Sequence, residues 1–270
     1  MENSILIKSR EKNAYFISII AMVLFFANSI LNILISNIIY PTLVLKNAFL
    51  ANDIVNLIIG IPVFAIVFIL SVRKIQQWQL CLSGVMLFIM YNQIVYSISI
   101  HIFVNKIINI IILVTCIVAY VSIFKAIDHT AVKQKFALHF SNKIYSIIII
   151  ILGLLFITKA SSVIINNFIG IKTVSLPDLA VSFADIFICI IWFLAGVLLL
   201  KKNKFGYSSI IGIYFQSSLL FLCLIGYLII KPICANIKFE IIDSIVIWIM
   251  SLVCFVPYII LMTKKQISDK

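Results

Sequence analysis

Charge is scarce in this chain. Of 270 residues only 11% are charged, and nine acidic residues face 21 lysines and arginines. A soluble domain carries roughly 25% charged and 45–50% apolar residues, because a water-facing surface needs polar cover. With 64% apolar residues, there is too little polar surface here to wrap a water-soluble core. No low-complexity linker and no separate soluble domain interrupts the apolar runs.

The motifs of common chemistries are missing too. There is no H-E-x-x-H to place two zinc ligands and a base on one helical face. There is no G-x-S-x-G nucleophile elbow, and no Gly-rich phosphate loop runs into a Lys-Ser or Lys-Thr pair. None of the six cysteines forms a C-x-x-C pair. Five lie inside apolar runs and Cys234 near the end of one, so they read as small buried hydrophobes. His101, His129 and His139 do not stand at metal-ligand spacing and read as solvated or interfacial. The sequence therefore calls for no metal and no cofactor, and it gives no motif for an enzyme.

What is present is hydrocarbon in long runs. A membrane-crossing helix needs roughly 20 mostly apolar residues, and in lipid such runs must be helical to satisfy their own backbone. Eight runs qualify: 14–37, 53–72, 78–100, 105–125, 143–167, 181–200, 207–230 and 240–263. The first, after the polar Met1–Asn13 segment, exceeds the roughly 7–15 residues of a signal-peptide core and reads as a retained span.

The net charge of +12 does not point to nucleic acid, because the basic residues form no single patch. They alternate loop by loop. Fifteen of the 21 fall on one side, in the gaps around Lys8, Arg73, Lys125, Lys201 and Lys264. Six fall on the other: Lys46, Lys106, Lys159, Lys172, Lys231 and Lys238. The positive-inside rule then predicts an all-α, polytopic bundle in the cell membrane, with N and C termini cytoplasmic. A first four-helix half (1–125), a cytoplasmic connector (126–142) and a second four-helix half (143–270) follow. A 4+4 parallel repeat, a known transporter design, fits this division. Asp53-Ile54 and Asp185-Ile186 echo each other, each ahead of a basic pair, Arg73-Lys74 and Lys201-Lys202.

Polar groups inside a bilayer are costly and mark functional positions. Asn28, Asn32 and Ser36 share one face of the first run, and Asp53 and Asn56 open the second. Asn92 and Tyr96 lie in the outer half of the third, Lys159 in the fifth, Asp185 in the sixth, and Glu240 and Asp243 begin the eighth. The inner halves, such as 61–70 and 188–200, are almost wholly apolar. This predicts an outward-facing polar cup in which Asp53, Asp185 and Asp243 ring the mouth and Lys159 is the countercharge. Two plainer roles stay open: carboxylates placed near helix N-termini at the interface, and an asparagine stripe that glues helices together. Gly60-x-Pro62 predicts a kink beside Asp53. Trp192 and Trp248 fall mid-span and read as packing residues.

Asp53-x3-Leu57-x2-Gly60-x-Pro62, then Tyr91-Asn92-x3-Tyr96, Asp185 ahead of Leu194-Ala195-Gly196-Val197-Leu198-Leu199, Lys201-Lys202 and Gly206-Tyr207 together resemble a group of small bacterial multi-pass membrane proteins of unknown function. The chain departs from that pattern after Asp185, where Ile190, Ile191 and Trp192 stand in place of a proline. The resemblance implies no activity, and it marks Asp53, Asn92, Tyr96 and Asp185 as residues to test.

These features predict a small-molecule or ion transporter, or a membrane sensor. Its binding residues would be Asp53, Asn56, Asn92, Tyr96, Lys159, Asp185 and Asp243, and a ring of carboxylates suits a small cationic or polar ligand. The partners expected are the lipid bilayer and that ligand; no protein partner is legible. The alternatives are a non-catalytic accessory or permease-like subunit of a membrane complex and, third, an intramembrane enzyme.

Overall fold

The computed structural model describes residues 4–137, 142–239 and 241–263. His139, Glu240 and the lysines at 264, 265 and 270 lie outside them. Among the described residues eight helices are long and apolar enough to cross a membrane, and the chain is a multi-pass all-α bundle. In order they are α1 (Lys8–Leu34), a short α2 (Ser36–Ile39), α3 (Leu43–Val55), a π-helical turn (Asn56–Gly60) and α4 (Ile61–Val72). Then come α5 (Gln76–Ser99), α6 (Phe103–Ala126), a short α7 (His129–Phe136), α8 (Asn142–Phe168), α9 (Leu176–Leu200), α10 (Lys204–Ala235) and α11 (Ile241–Thr263). The segment from α3 through α4 is one span.

Two boundaries differ from the sequence expectation in a way that matters. The second span begins at Leu43, not at 53, because the Thr42 hydroxyl caps it by accepting from Leu45 N at 3.3 Å. The polar stretch that looked like loop is helix, and Lys46 Nζ donates to Asn37 Oδ1 at 2.8 Å. The sixth span begins at Leu176, capped by Ser175, whose hydroxyl accepts from Asp178 N at 3.3 Å, with Pro177 in the first turn where no N–H is needed. Asp53 and Asp185 therefore each lie well into a helix, on the order of 13–15 Å from its start at 1.5 Å per residue. The helix-terminus role for Asp53 fails on this point. At Gly60-x-Pro62 the backbone widens into the π-turn, which makes room for the proline ring and its missing N–H.

Helix α5 runs through the centre. In its most apolar stretch 78% of residues are buried, against 22–39% in the other seven spans. It crosses α10 where Gly84 meets Gly212, small residues that let two backbones touch. The outer faces are bare hydrocarbon, with Val23, Ile66, Val114, Leu155 and Trp248 all half-exposed, as a lipid-facing perimeter requires. Trp248 is thus a perimeter residue and not a packing one.

One end of the bundle is tied shut. Ile5 and Leu6 are buried and strap the start of the chain to the end of α6: Ile7 N donates to Ala126 O at 2.7 Å, and Asp128 N to Ile5 O at 2.8 Å. Gln79 Oε1 accepts from Ile5 N at 3.1 Å, Tyr15 Oη donates to Ser71 O at 2.6 Å, and Gln77 Nε2 to Met262 O at 3.2 Å. These contacts gather the start of α1, the end of α4, the start of α5 and the end of α11 at the same end. This end is therefore not pure hydrocarbon, since Gln76, Gln77 and Gln79 are buried in it.

Within the connector, Asp128 caps α7 by accepting from Thr130 N and Ala131 N at 3.0 Å, while Val132 and Phe136 are buried. His129 is half-buried between the Phe124 and Phe205 rings, with centroids 4.6 and 4.7 Å away, and its Nδ1 lies 2.9 Å from Ser208 Oγ. It is docked, not solvated.

The two basic-pair turns share one geometry. Arg73 N bonds Ile69 O and Lys74 N bonds Ser71 O; Lys201 N bonds Val197 O and Lys202 N bonds Leu199 O. Ile75 N and Asn203 N each reach five residues back, to Leu70 O and Leu198 O. Asp53 precedes Lys74 by 21 residues, whereas Asp185 precedes Lys202 by 17, so the two aspartates are not at matching heights.

Candidate functional site

Asp53 is fully buried. Its carboxylate accepts from Tyr40 Oη at 2.5 Å, Tyr96 Oη at 2.9 Å and Asn32 Nδ2 at 3.4 Å, and Ser29 also reaches it. The turn between α2 and α3 delivers Tyr40, α5 delivers Tyr96, and α1 delivers Asn32 and Ser29. Phe49 wedges between the two tyrosine rings, 5.7 and 4.8 Å from them, and fixes where their hydroxyls point. Every group acting on the carboxylate is neutral. Burying a charge without a countercharge is strongly unfavourable, so this is a high-cost feature of the fold.

The asparagine stripe of α1 feeds the same carboxylate. Asn28 Nδ2 donates to Asn109 Oδ1 at 2.9 Å, Asn109 Nδ2 to Asn105 Oδ1 at 2.9 Å, and Asn105 Nδ2 to Asn32 Oδ1 at 3.1 Å. Asn32 then donates to Asp53. All four amides point their donors the same way, so their dipoles add at the aspartate. The stripe does join α1 to α6, and it also polarises a path to Asp53. Two groups are left over: Asn28 Oδ1, and both amide atoms of fully buried Asn56, one turn beyond Asp53.

On the other side of Tyr96 lies Asn52. Its Nδ2 donates to Tyr96 Oη at 2.9 Å and to Asn92 Oδ1 at 3.1 Å, while Asn92 Nδ2 donates to Phe88 O at 3.0 Å. Asn52 and Asn92 both face a cleft of about 420 Å³. Its walls also carry Tyr91, Lys159, Asp178, Asp185 and Trp192, with α10 and α11 contributing Phe221, Tyr227 and Ile247. Tyr91 Oη donates to Asp185 Oδ1 at 3.0 Å. Lys159 attracts the Asp185 charge through space. Asp178 accepts from the Ser175 hydroxyl at 2.6 Å, and the Trp192 indole N–H donates to Gln216 Oε1 at 2.6 Å. A neighbouring cavity of about 400 Å³ shares Lys159, Asp178 and Asp185 and adds Lys172 and Asn166.

The single cup expected from the sequence is thus two connected places. Asn92, Lys159 and Asp185 line the cleft. Asp53 and Tyr96 sit behind it, joined to it through Asn52. Asn56, one turn beyond Asp53, is fully buried and is not a wall of the cleft. Asp243 stands exposed in the first turn of α11 and is not a wall of the cleft, so the proposed ring of three aspartates does not form; its helix turns that residue to the perimeter. Sequence reasoning passed over Tyr40, Asn52, Asn105, Asn109 and Asp178. The i, i+4 spacing of Asn105 and Asn109, matching that of Asn28 and Asn32, was a usable signal. Among the described residues no three His, Cys, Asp or Glu side chains gather to hold a metal.

No protein-family model, no curated protein and no solved structure matches the chain.

Proposed function

We propose that this multi-pass protein resides in the cell membrane with its tied, basic end in the cytoplasm, and binds a small polar or cationic ligand in the cleft from the outer side. It acts there as a small-molecule or ion transporter or as a membrane sensor. The observation that carries this is the convergence of Lys159, Asp178 and Asp185 on one aromatic-walled cleft, in the half of the bundle away from the tied end. Two carboxylates and one ammonium line the cleft, which suits a ligand carrying an amine, and the Trp192 ring supplies a face that attracts cations; one face of the Tyr227 ring is already taken by Lys231, 5.5 Å from its centroid. Lys159 suits the carboxylate of a zwitterion.

The 15-to-6 split of basic residues supports the orientation. The matching turns at Lys74 and Lys202 support a parallel repeat of two four-helix halves, as does the crossing of α5 and α10 at Gly84 and Gly212. The resemblance to small bacterial membrane proteins adds Asn92 and Asp185 as shared positions.

The test is a thermal-shift screen of detergent-purified protein against primary amines, quaternary amines and zwitterionic amino acids. Stabilisation by one class, lost in Asp185→Asn while helical content is kept, supports the function. A flat response across all three classes, or an Asp185→Asn variant that responds as wild type, overturns it.

A further inference from the structure

We propose that Asp53 is a proton-binding site, separate from the ligand cleft, and that Asn52 transmits its protonation state to the cleft. The coupling half of this rests on the ligand function proposed above; the proton site does not.

Asp53 is fully buried, and the groups facing it from the packed elements are Ser29 and Asn32 of α1, Tyr40, and Tyr96 of α5. None carries a charge. The lysines at this end of α3, α6 and α10 are engaged or exposed: Lys46 bonds Asn37, Lys106 is exposed on α6, and Lys231 lies over the Tyr227 ring at 5.5 Å. On α10, Gly226 packs against Val55 and Ile59. A carboxylate so placed must acquire a positive charge of its own, and a proton is the one that needs no added space, because both oxygens already carry donors at 2.5–3.4 Å.

Protonation rewires those donors. With a proton on Oδ2, Asp53 becomes a donor to Tyr40 Oη, and the Tyr40 hydroxyl must find another acceptor. The Tyr96 oxygen is within its reach. That oxygen already accepts from Asn52 Nδ2. Tyr40 and Asn52 then compete for it, and an Asn52 amide freed from Tyr96 is presented to the cleft beside Asn92. Loss of the proton reverses each bond. Only one O–H bond forms or breaks, and the polarised asparagine chain from Asn28 supports the anionic state.

The experiment is pH-difference infrared spectroscopy of the full chain in lipid vesicles, with the proton as the probe. A carboxylic-acid C=O band should appear reversibly as pH falls, vanish in Asp53→Asn and persist in Asp185→Asn. Tyr96→Phe, which removes one hydroxyl and keeps the ring, should shift the band's frequency without removing it, so the test survives if Asp53→Asn fails to fold. In a Trp78→Phe, Trp248→Phe background, acrylamide quenching of Trp192 should follow the same titration, and Asn52→Leu should uncouple the two. A band that remains in Asp53→Asn, or is unmoved by Tyr96→Phe, overturns the site. So does the absence of any band together with Asp53-dependent stabilisation by sodium ions. Quenching that still follows the band in Asn52→Leu overturns the transmission. A flat ligand screen leaves the band untouched, so the two failures are distinguishable.

Discussion

Lys74 and Lys202, 128 positions apart, both adopt the left-handed backbone conformation, with φ of 61° and 55°. A side chain costs about 1–2 kcal/mol there, and glycine does not meet that cost. Lys74→Gly and Lys202→Gly should each stabilise the protein by up to about 1 kcal/mol after the entropy lost by a more flexible unfolded chain. Denaturant unfolding in detergent checks this. Gains of the same sign are expected, because the two turns make the same backbone hydrogen bonds.

Gly84 and Gly212 leave no room for a methyl group. A Cβ on Gly84 would overlap the Gly212 carbonyl oxygen, and one on Gly212 would overlap the Ser83 hydroxyl. Gly84→Val should part α5 from α10 and cost about 1–3 kcal/mol or more, the range for overpacked cores. Gly170 has open space around it but a φ of 74°, so Gly170→Ala should cost only about 1–2 kcal/mol. Thermal unfolding of the three proteins gives the order.

Asp53→Asn and Asp53→Leu should separate. Asparagine keeps one acceptor oxygen for the converging donors. Leucine leaves Tyr40, Tyr96 and Asn32 with buried unpaired donors, each worth about 1–3 kcal/mol. A leucine variant as stable as the asparagine one would mean that the donors find other partners.

The docking of α7 should depend on pH. Burial against Phe124 and Phe205, with the Lys204 ammonium as a second cause, lowers the His129 pKa below its ordinary 6.5. The undocked state therefore binds the proton more readily, so docking is strongest above 6.5 and weakens as pH falls from there through the docked-state value. Hydrogen exchange of α7 amides should quicken on acidification, and His129→Phe should remove that dependence.

Cys234 is a native topology probe. It is exposed, while the other five cysteines are buried. A membrane-impermeant maleimide should label it in intact cells. Lys133→Cys, at an exposed position of α7, in a Cys234→Ser background, should label only after permeabilisation. The reverse pattern would invert the bundle.

The sequence by itself determined the helix class, the number of spans and which loops share an end, because those follow from hydrocarbon run length and from where lysine and arginine are tolerated. It also located Asp53, Asn92, Tyr96, Lys159 and Asp185 as costly polar groups. Helix starts were less legible. Lys46, Asn47 and Asn52 resemble a loop in composition, and only the Thr42 cap shows that the helix begins before them. The partition of the polar residues belonged to the tertiary structure alone. Asn52 and Asp53 are adjacent in sequence, yet successive helical positions turn about 100° apart, so one faces the cleft and the other the sealed tyrosine cage. Which face meets which neighbour is set by the crossing of α5 and α10 and the packing of α1 on α6, and no local pattern of residues encodes it.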